Sequence, residues 1–260
     1  MSDDVLPGGR FAAPIRDGDT VTRRRGLAST NVAALLDHLA ARGFAHAPRM
    51  LGSTPGGRDV LTYLPGEAAH PPLPAAARSD RALRSAGRFV RALHDATEGF
   101  VAPEPGQWVP HDLVTPVAVD CVGHGDLNPG NLLFQHDQIV GVIDFDTAGP
   151  SNRVFDLALL AHHLVPLHHT DALPGFGWDH EPDRGRRLSI LATAYGDGMQ
   201  PSQLVDYAAL RLLSMAGHIQ SQLDGGNPAY AGHAGEPDGY RQAAVFILTH
   251  RHQWLRRPPR

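Results

Sequence analysis

The sequence predicts an α+β protein in two unequal lobes: a small N-terminal β-sheet carrying one helix over residues 1–66, and a larger, mainly helical part over residues 67–260. Three observations predict it. Strand-length stretches separated by glycine turns crowd the chain before Pro65, a proline-rich connector follows, and beyond it apolar residues recur at helical spacing with one strand–turn–strand unit among them. With 260 residues and 42% apolar content, the chain has the material for a core of this size.

In the first lobe, Gly8-Gly9, Gly18-Asp19 and Gly56-Gly57 are turn signals, and Asp17-Gly18-Asp19 predicts a hairpin leading into Thr20-Val21-Thr22-Arg23. From Asn31 to Arg42 the residues Val32, Leu35, Leu36 and Leu39 share one helical face, with Ser29 or Thr30 as cap and Gly43 as the stop. Arg58 to Leu64 alternates as a strand does. Pro65-Gly66, Pro71-Pro72 and Pro74 then read as the connector, and the lobe boundary is placed there.

In the second lobe, Leu83, Gly87, Val90, Leu93 and His94 set a helical pattern from Asp80 to Thr97, capped by Ser79 or Asp80. Helical periodicity returns beyond Leu188 through Leu191, Leu204, Leu210, Leu213, Val245 and Leu248. Between these lies a hairpin: Asn131 to Phe134, a polar turn at Gln135 to Gln138, then Ile139 to Ile143, ending at Asp144.

Charge and cysteine usage narrow the function. The formal net charge of -4 offers no polycationic surface, so nucleic acid is not expected as a partner. Cys121 is the only cysteine, which excludes an intrachain disulfide and fits a reducing, cytoplasmic setting. The N-terminal stretch lacks an apolar signal core, and the most apolar run, Val154 to Leu167, is broken by Asp156, His162 and His163, so no membrane association is expected. There is no lysine anywhere in the chain. Oligomeric state leaves no signal.

The chemistry concentrates at the two ends of the hairpin. His124-Gly125-Asp126-Leu127-Asn128-Pro129-Gly130-Asn131 is a polar loop entering a buried strand, and Ile143-Asp144-Phe145-Asp146 is an acidic turn leaving its partner. Folding the hairpin places the turns side by side. Phosphoryl transfer needs a carboxylate to orient the attacking hydroxyl and accept its proton, and oxygen ligands that hold Mg²⁺ against the phosphates. Either turn alone reads first as an Asx-rich bend; the pair at hairpin spacing points to this chemistry.

His-x-Asp followed five residues later by Asn, then Ile-Asp-Phe-Asp, resembles the catalytic and metal-binding loops of the aminoglycoside phosphotransferases, relatives of protein kinases. The segments Asp59 to Glu67, and Gly149-Pro150 through Asp156-Leu157-Ala158, are similar to that family as well, so the resemblance runs over most of the chain. It implies a bilobal protein-kinase-like fold and transfer of phosphate from ATP or GTP, with Mg²⁺, to a small hydroxylated molecule. That acceptor is an aminoglycoside or another amino sugar, amino alcohol or metabolite. Asp126 becomes the catalytic base, Asn131 and Asp144 the Mg²⁺ ligands, Asp146 a second acid near metal or substrate, and His124 a residue that shapes the loop.

The same resemblance implies a nucleotide clamp. Leu6-Pro7-Gly8-Gly9 is its candidate phosphate turn, although Gly-Gly there reads equally as an ordinary loop. Arg23 is the stand-in for the absent lysine, since Val21 and Arg23 share a strand face while Arg24 points away. Asp37 is the only acid of the first-lobe helix, either a partner for Arg23 or an exposed charge. Adenine is expected near Tyr63 and Leu64. The missing lysine also motivates a second reading, a catalytically weak nucleotide-binding pseudokinase, and a third is a binding protein whose acids are structural.

Two further features have alternative readings. Asp171, Asp179, Glu181 and Asp183 form either a cation-attracting flap over the acceptor or a solvated loop. His162, His163, His168 and His169 read as polar helix-face and loop residues, since no cysteine or i, i+4 carboxylate completes a metal site.

Overall fold

The computed structural model describes residues 4–5, 14–109 and 118–256. Gly8 and Gly9 lie outside the described residues, so the expected phosphate turn does too. In the N-terminal part, β1 (Asp4–Val5), β2 (Ile15–Asp17), β3 (Thr20–Arg24), β4 (Met50–Ser53) and β5 (Arg58–Thr62) form an antiparallel sheet in the order β1-β2-β3-β5-β4. Gly18, at φ +58°, makes the predicted β2–β3 turn.

Helix α1 (Ser29–Ala41) follows β3 and buries Val32, Leu35, Leu36 and Leu39, the face read from the sequence. Its start differs from expectation. Ala28 occupies the cap position without a side-chain bond, and the Ser29 hydroxyl accepts instead from the Gly26 N–H at 2.9 Å. The hydroxyl closes the turn joining β3 to the helix, so it is not available to the helix's own amides.

The chain then crosses to the second part through β6 (Glu67–Ala68) and the short α2 (Ala75–Arg78). Helix α3 (Asp80–Ala96) starts where the sequence placed it, the Ser79 hydroxyl accepting from the Ala82 N–H at 3.0 Å. Strand β7 (Cys121–Gly123) precedes the predicted hairpin, β8 (Leu132–Gln135) and β9 (Gln138–Val142), and β6 extends that hairpin to three strands. β10 (Gly149–Ser151) returns to pair with β7. Helices α4 (Arg153–Leu164), α5 (Arg184–Tyr195), α6 (Pro201–Asp224) and α7 (Glu236–Leu255) complete the fold. One buried apolar cluster joins Leu61 of β5 and Leu39 of α1 to Leu83 of α3, Leu160 of α4 and Leu212 of α6.

The C-terminal helices form, but not every residue that announced them is core. Leu213, Val245 and Leu248 are exposed, while Leu204, Ala208, Leu212, Ala244 and Ile247 carry the packing. Among the described residues no helix is long and apolar enough to cross a membrane.

Candidate active site

Pairing within the hairpin builds the site. Beyond the Leu132–Val142 pair, the Ile143 N–H donates to the Asn131 carbonyl at 2.9 Å, which brings the end of the polar loop opposite the start of the acidic turn. Asp144 then turns the chain with φ +65° and ψ +64°, a left-handed conformation that Asp tolerates better than most residues.

Within the loop, Asn131 Nδ2 donates to both the Asp126 carbonyl and Asp126 Oδ2 at 2.9 Å. That orientation turns Asn131 Oδ1 away, and it makes no hydrogen bond among the described residues; the same holds for the Asp144 carboxylate. His124 is buried and ties the two turns together: Nε2 donates to the Ile143 carbonyl at 2.8 Å, and Nδ1 accepts from the Asp126 N–H at 3.3 Å. Its ring packs against Phe145 at a centroid distance of 4.8 Å. Both ring nitrogens are committed to backbone.

Three residues position this loop without having been singled out by sequence reasoning. Asp156 of α4 is buried and accepts from the His124 N–H at 2.9 Å and the Gly125 N–H at 2.8 Å. His94 of α3 lies against the same carboxylate at 3.0 Å and reaches the Tyr195 hydroxyl with its other nitrogen at 2.9 Å. Burial would push the Asp156 carboxyl up, but the His94 hydrogen bond and charge, together with the Gly125 N–H, hold it down at about 2. Arg211 of α6 donates from below to the Gly125 carbonyl and packs over Phe155 at 5.0 Å. The loop sits so close to Asp156 that a Cβ at Gly123 would lie 2.9 Å from Asp156 Cγ and 2.7 Å from Ser151 Cβ.

Arg23 is buried on β3 and Arg24 is exposed, as the strand alternation predicts. Its partner is not Asp37, which is exposed on α1. Arg23 instead pairs with Asp146 and lies 4.0 Å from Asp59, its cross-strand neighbour on β5. The strand register places Asp59 beside the guanidinium, and the hairpin delivers Asp146 from the other lobe. Burial raises the Asp146 carboxyl, Arg23 opposes that, and the neighbouring Asp144 and Asp59 charges add to it.

Tyr63 and Leu64 lie between β5 and β6. The Arg16 guanidinium stands 3.7 Å over the Tyr63 ring, and Leu64 packs towards Gly141. Neither lines the cavity at the two acidic turns. That cavity, 620 Å³, takes in Asp126, Asn131, Asp144 and Asp146 at its floor, with walls from the segment before α1, from α6 and from Tyr230 and Tyr240.

The candidate flap lies elsewhere. Glu181 pairs with Arg184 at 2.6 Å, Asp183 caps α5 by accepting from the Arg186 N–H at 2.8 Å, and none of the segment's acids lines the cavity. Two of the histidines depart from the polar-face reading: His162 and His168 are buried, with ring centroids 4.1 Å apart, and His168 stacks on Phe176 at 3.6 Å, while His169 is exposed as that reading has it. Burial lowers His162 and keeps His163 at about 4 and His168 at about 3, so these three are neutral near pH 7.

A small sheet lobe, a helical lobe and two acidic turns facing one cavity define a kinase-like phosphotransferase. Comparison with known proteins agrees: the phosphotransferase enzyme family (APH) matches residues 23–112 and 111–213. The chain belongs to that family. It is 33% identical over 202 residues to the trifolitoxin immunity protein of Rhizobium leguminosarum bv. trifolii, a match covering 75% of each chain. Among solved structures it resembles a choline/ethanolamine kinase family protein from Mesorhizobium loti, with TM-score 0.65, 21% identity, and coverage of 95% of this chain and 88% of the other. It also resembles the amicoumacin kinase hAmiN in complex with AMP-PNP, Ca²⁺ and Ami, with TM-score 0.63, 14% identity and coverage of 95% and 88%. The GDP complex of aminoglycoside 2'-phosphotransferase-IIIa superimposes with TM-score 0.60 at 15% identity, covering 94% of this chain and 93% of that one. At these identities the solved structures support the protein-kinase-like fold, and the family match makes the chain a phosphotransferase enzyme.

Proposed function

We propose that the protein transfers the terminal phosphoryl group of ATP or GTP to a hydroxyl of a small molecule, with Asp126 as the base. One observation carries this reading. The Asn131 amide clamps one oxygen of Asp126 at the floor of a 620 Å³ cavity, while Asp144 stands on the facing turn and opens into the same space. In this arrangement Asp126 orients the acceptor hydroxyl and takes its proton, and Asn131 holds the carboxylate in place.

The residues present fit a divalent cation. Asn131 Oδ1 and the Asp144 carboxylate are hard oxygen donors with no hydrogen bond among the described residues, and they would hold Mg²⁺. When bound, the cation would neutralise charge developing on the phosphates. No group of three or more His, Cys, Asp or Glu side chains among the described residues is placed to hold a metal. The protein's share of the ligands is therefore small, as expected of a cation that arrives with its nucleotide. AMP-PNP and Ca²⁺ in the amicoumacin kinase, and GDP in the aminoglycoside enzyme, support a nucleotide with a divalent metal here.

Arg23 would contact the phosphates from the N-terminal lobe, residues 1–66, with adenine near Tyr63 and Leu64. A weak nucleotide-binding protein is a second reading, favoured by one observation: Asp146 already engages the Arg23 guanidinium. The kinship with an immunity protein supports a protective role, the modification of a toxic compound in the cytoplasm. Phosphorus NMR after incubation with Mg²⁺, ATP or GTP and a panel of hydroxylated compounds tests the proposal. A new phosphomonoester resonance is expected; nucleotide binding without any such product would favour the second reading.

A further inference from the structure

We infer that the acceptor is a neutral or singly charged amphipathic molecule, with an aliphatic or aromatic body beside its reactive hydroxyl, and not a polycation. This deepens the phosphotransferase reading and rests on it.

The cavity wall facing the catalytic loop combines Leu27, Val32, Met215 and Ile219 with the rings of Tyr230 and Tyr240, and its other polar side chains are the amides of Gln222 and Asn227, the Ser29 hydroxyl and the His218 imidazole. Among the described residues the only carboxylates in the lining are Asp126, Asp144 and Asp146. Asp146 is held by Arg23, and Asp144 belongs on the proposed reading to the metal. Among the described residues Asp126 alone remains for the acceptor, and its task is the hydroxyl. Arg211, buried beneath the loop, adds positive charge to the same space. A molecule bearing several ammonium groups would lose hydration on entering and meet no matching carboxylates among the described residues, a cost that unpaired charge does not recover.

The acids that the sequence offered for cation binding are occupied elsewhere. Glu181 is paired with Arg184, Asp183 caps α5, and Asp171 and Asp179 are exposed away from the lining. The mouth supports the same conclusion from the apolar side. Leu27 is 53% exposed although it belongs to the lining, a large aliphatic side chain that an apolar ligand body would cover.

The experiment compares kanamycin, as the polycationic probe, with hydroxylated amphiphiles: a macrolide, aryl alcohols, and serine- or threonine-containing apolar tripeptides. Donor consumption is followed with Mg·ATP and Mg·GTP, and thermal shift with each nucleotide is recorded in parallel. At least one amphiphile is expected to be turned over with kcat/KM about tenfold or more above that of kanamycin. Leu27→Glu, a substitution at an exposed position, should raise the KM for that amphiphile while lowering the KM for kanamycin. Preference for kanamycin, or no turnover of any amphiphile by protein that binds Mg·nucleotide, overturns the inference. Absence of any nucleotide-dependent thermal shift would instead overturn the phosphotransferase reading beneath it.

Discussion

Arg23 of β3 and Asp146, from the turn after β9, form an ion pair across 123 residues of sequence. It joins the N-terminal sheet to the acidic turn of the candidate site, with Asp59 as a further acid beside the guanidinium. A lysine on this strand is what the resemblance implied; the arginine donates to Asp146 and stands within ion-pair distance of Asp59 without a hydrogen bond to it.

Removing Arg23 leaves Asp146 without its counter-charge, and leaves Asp59, 2% exposed, with only Arg25 at 3.6 Å among these pairs. Arg23→Ala should therefore cost about 3 kcal/mol of stability, in the range for breaking a buried pair, and weaken nucleotide binding. Arg24→Ala, at an exposed position, should change stability by about 0.5 kcal/mol or less. Chemical denaturation and nucleotide titration of the two variants check this. Equal effects would refute the strand-face assignment.

Asp156 makes stability depend on acid pH. Its carboxyl is lowered from 3.8 to about 2, so it contributes stability that is fully present above the unfolded value and lost as pH falls through the folded one. The shift corresponds to about 2 kcal/mol. Asp156→Asn should lose that contribution at neutral pH and flatten the dependence below pH ~4, measured by urea denaturation across a pH series. It should also lower kcat, because the His124 and Gly125 amides lose a charged acceptor.

The buried histidines act at higher pH. His168 is lowered from 6.5 to about 3, so the unfolded chain takes up its proton below pH ~6.5 while the folded chain does not. Stability should fall as pH drops below that point, by about 1.4 kcal/mol per pH unit for this group. His168→Phe keeps the stack on Phe176 and removes the titration, so its stability should decline less steeply between pH 6 and 4, read by the same denaturation series.

Asp126→Asn should reduce transfer by a factor on the order of 10² to 10⁴, the usual contribution of a general base, with nucleotide affinity kept. Donor consumption and nucleotide titration separate the two effects. Turnover at the wild-type rate would remove Asp126 from the base role.

Local pattern carried the sequence reading a long way. Ser79, the β8–β9 hairpin and the meeting of Asn131 with Asp144 all follow from short-range signals: a cap, an alternation and a turn. What escaped depends on how distant segments pack. Asp59 rather than Asp37 neighbours Arg23 because of strand register, which hydrophobic pattern does not assign between two short strands. Asp156 and His94 meet only when α3 and α4 are docked. Arg211 did leave a trace: it falls within the stripe of Leu204, Ala208, Leu212 and Ile219, and a lone charge at a buried helix position marks a specific partner.

Thermal unfolding with and without Mg·ATP or Mg·GTP, on wild type and Asp144→Asn, most directly tests whether the two turns form a nucleotide and metal site. At a nucleotide concentration about 100-fold above Kd, the wild type should gain about 2.7 kcal/mol, a rise of several degrees in Tm that EDTA abolishes and Asp144→Asn lacks. An unchanged Tm in wild type at saturating ATP and GTP, or an equal and EDTA-insensitive rise in the variant, would contradict it.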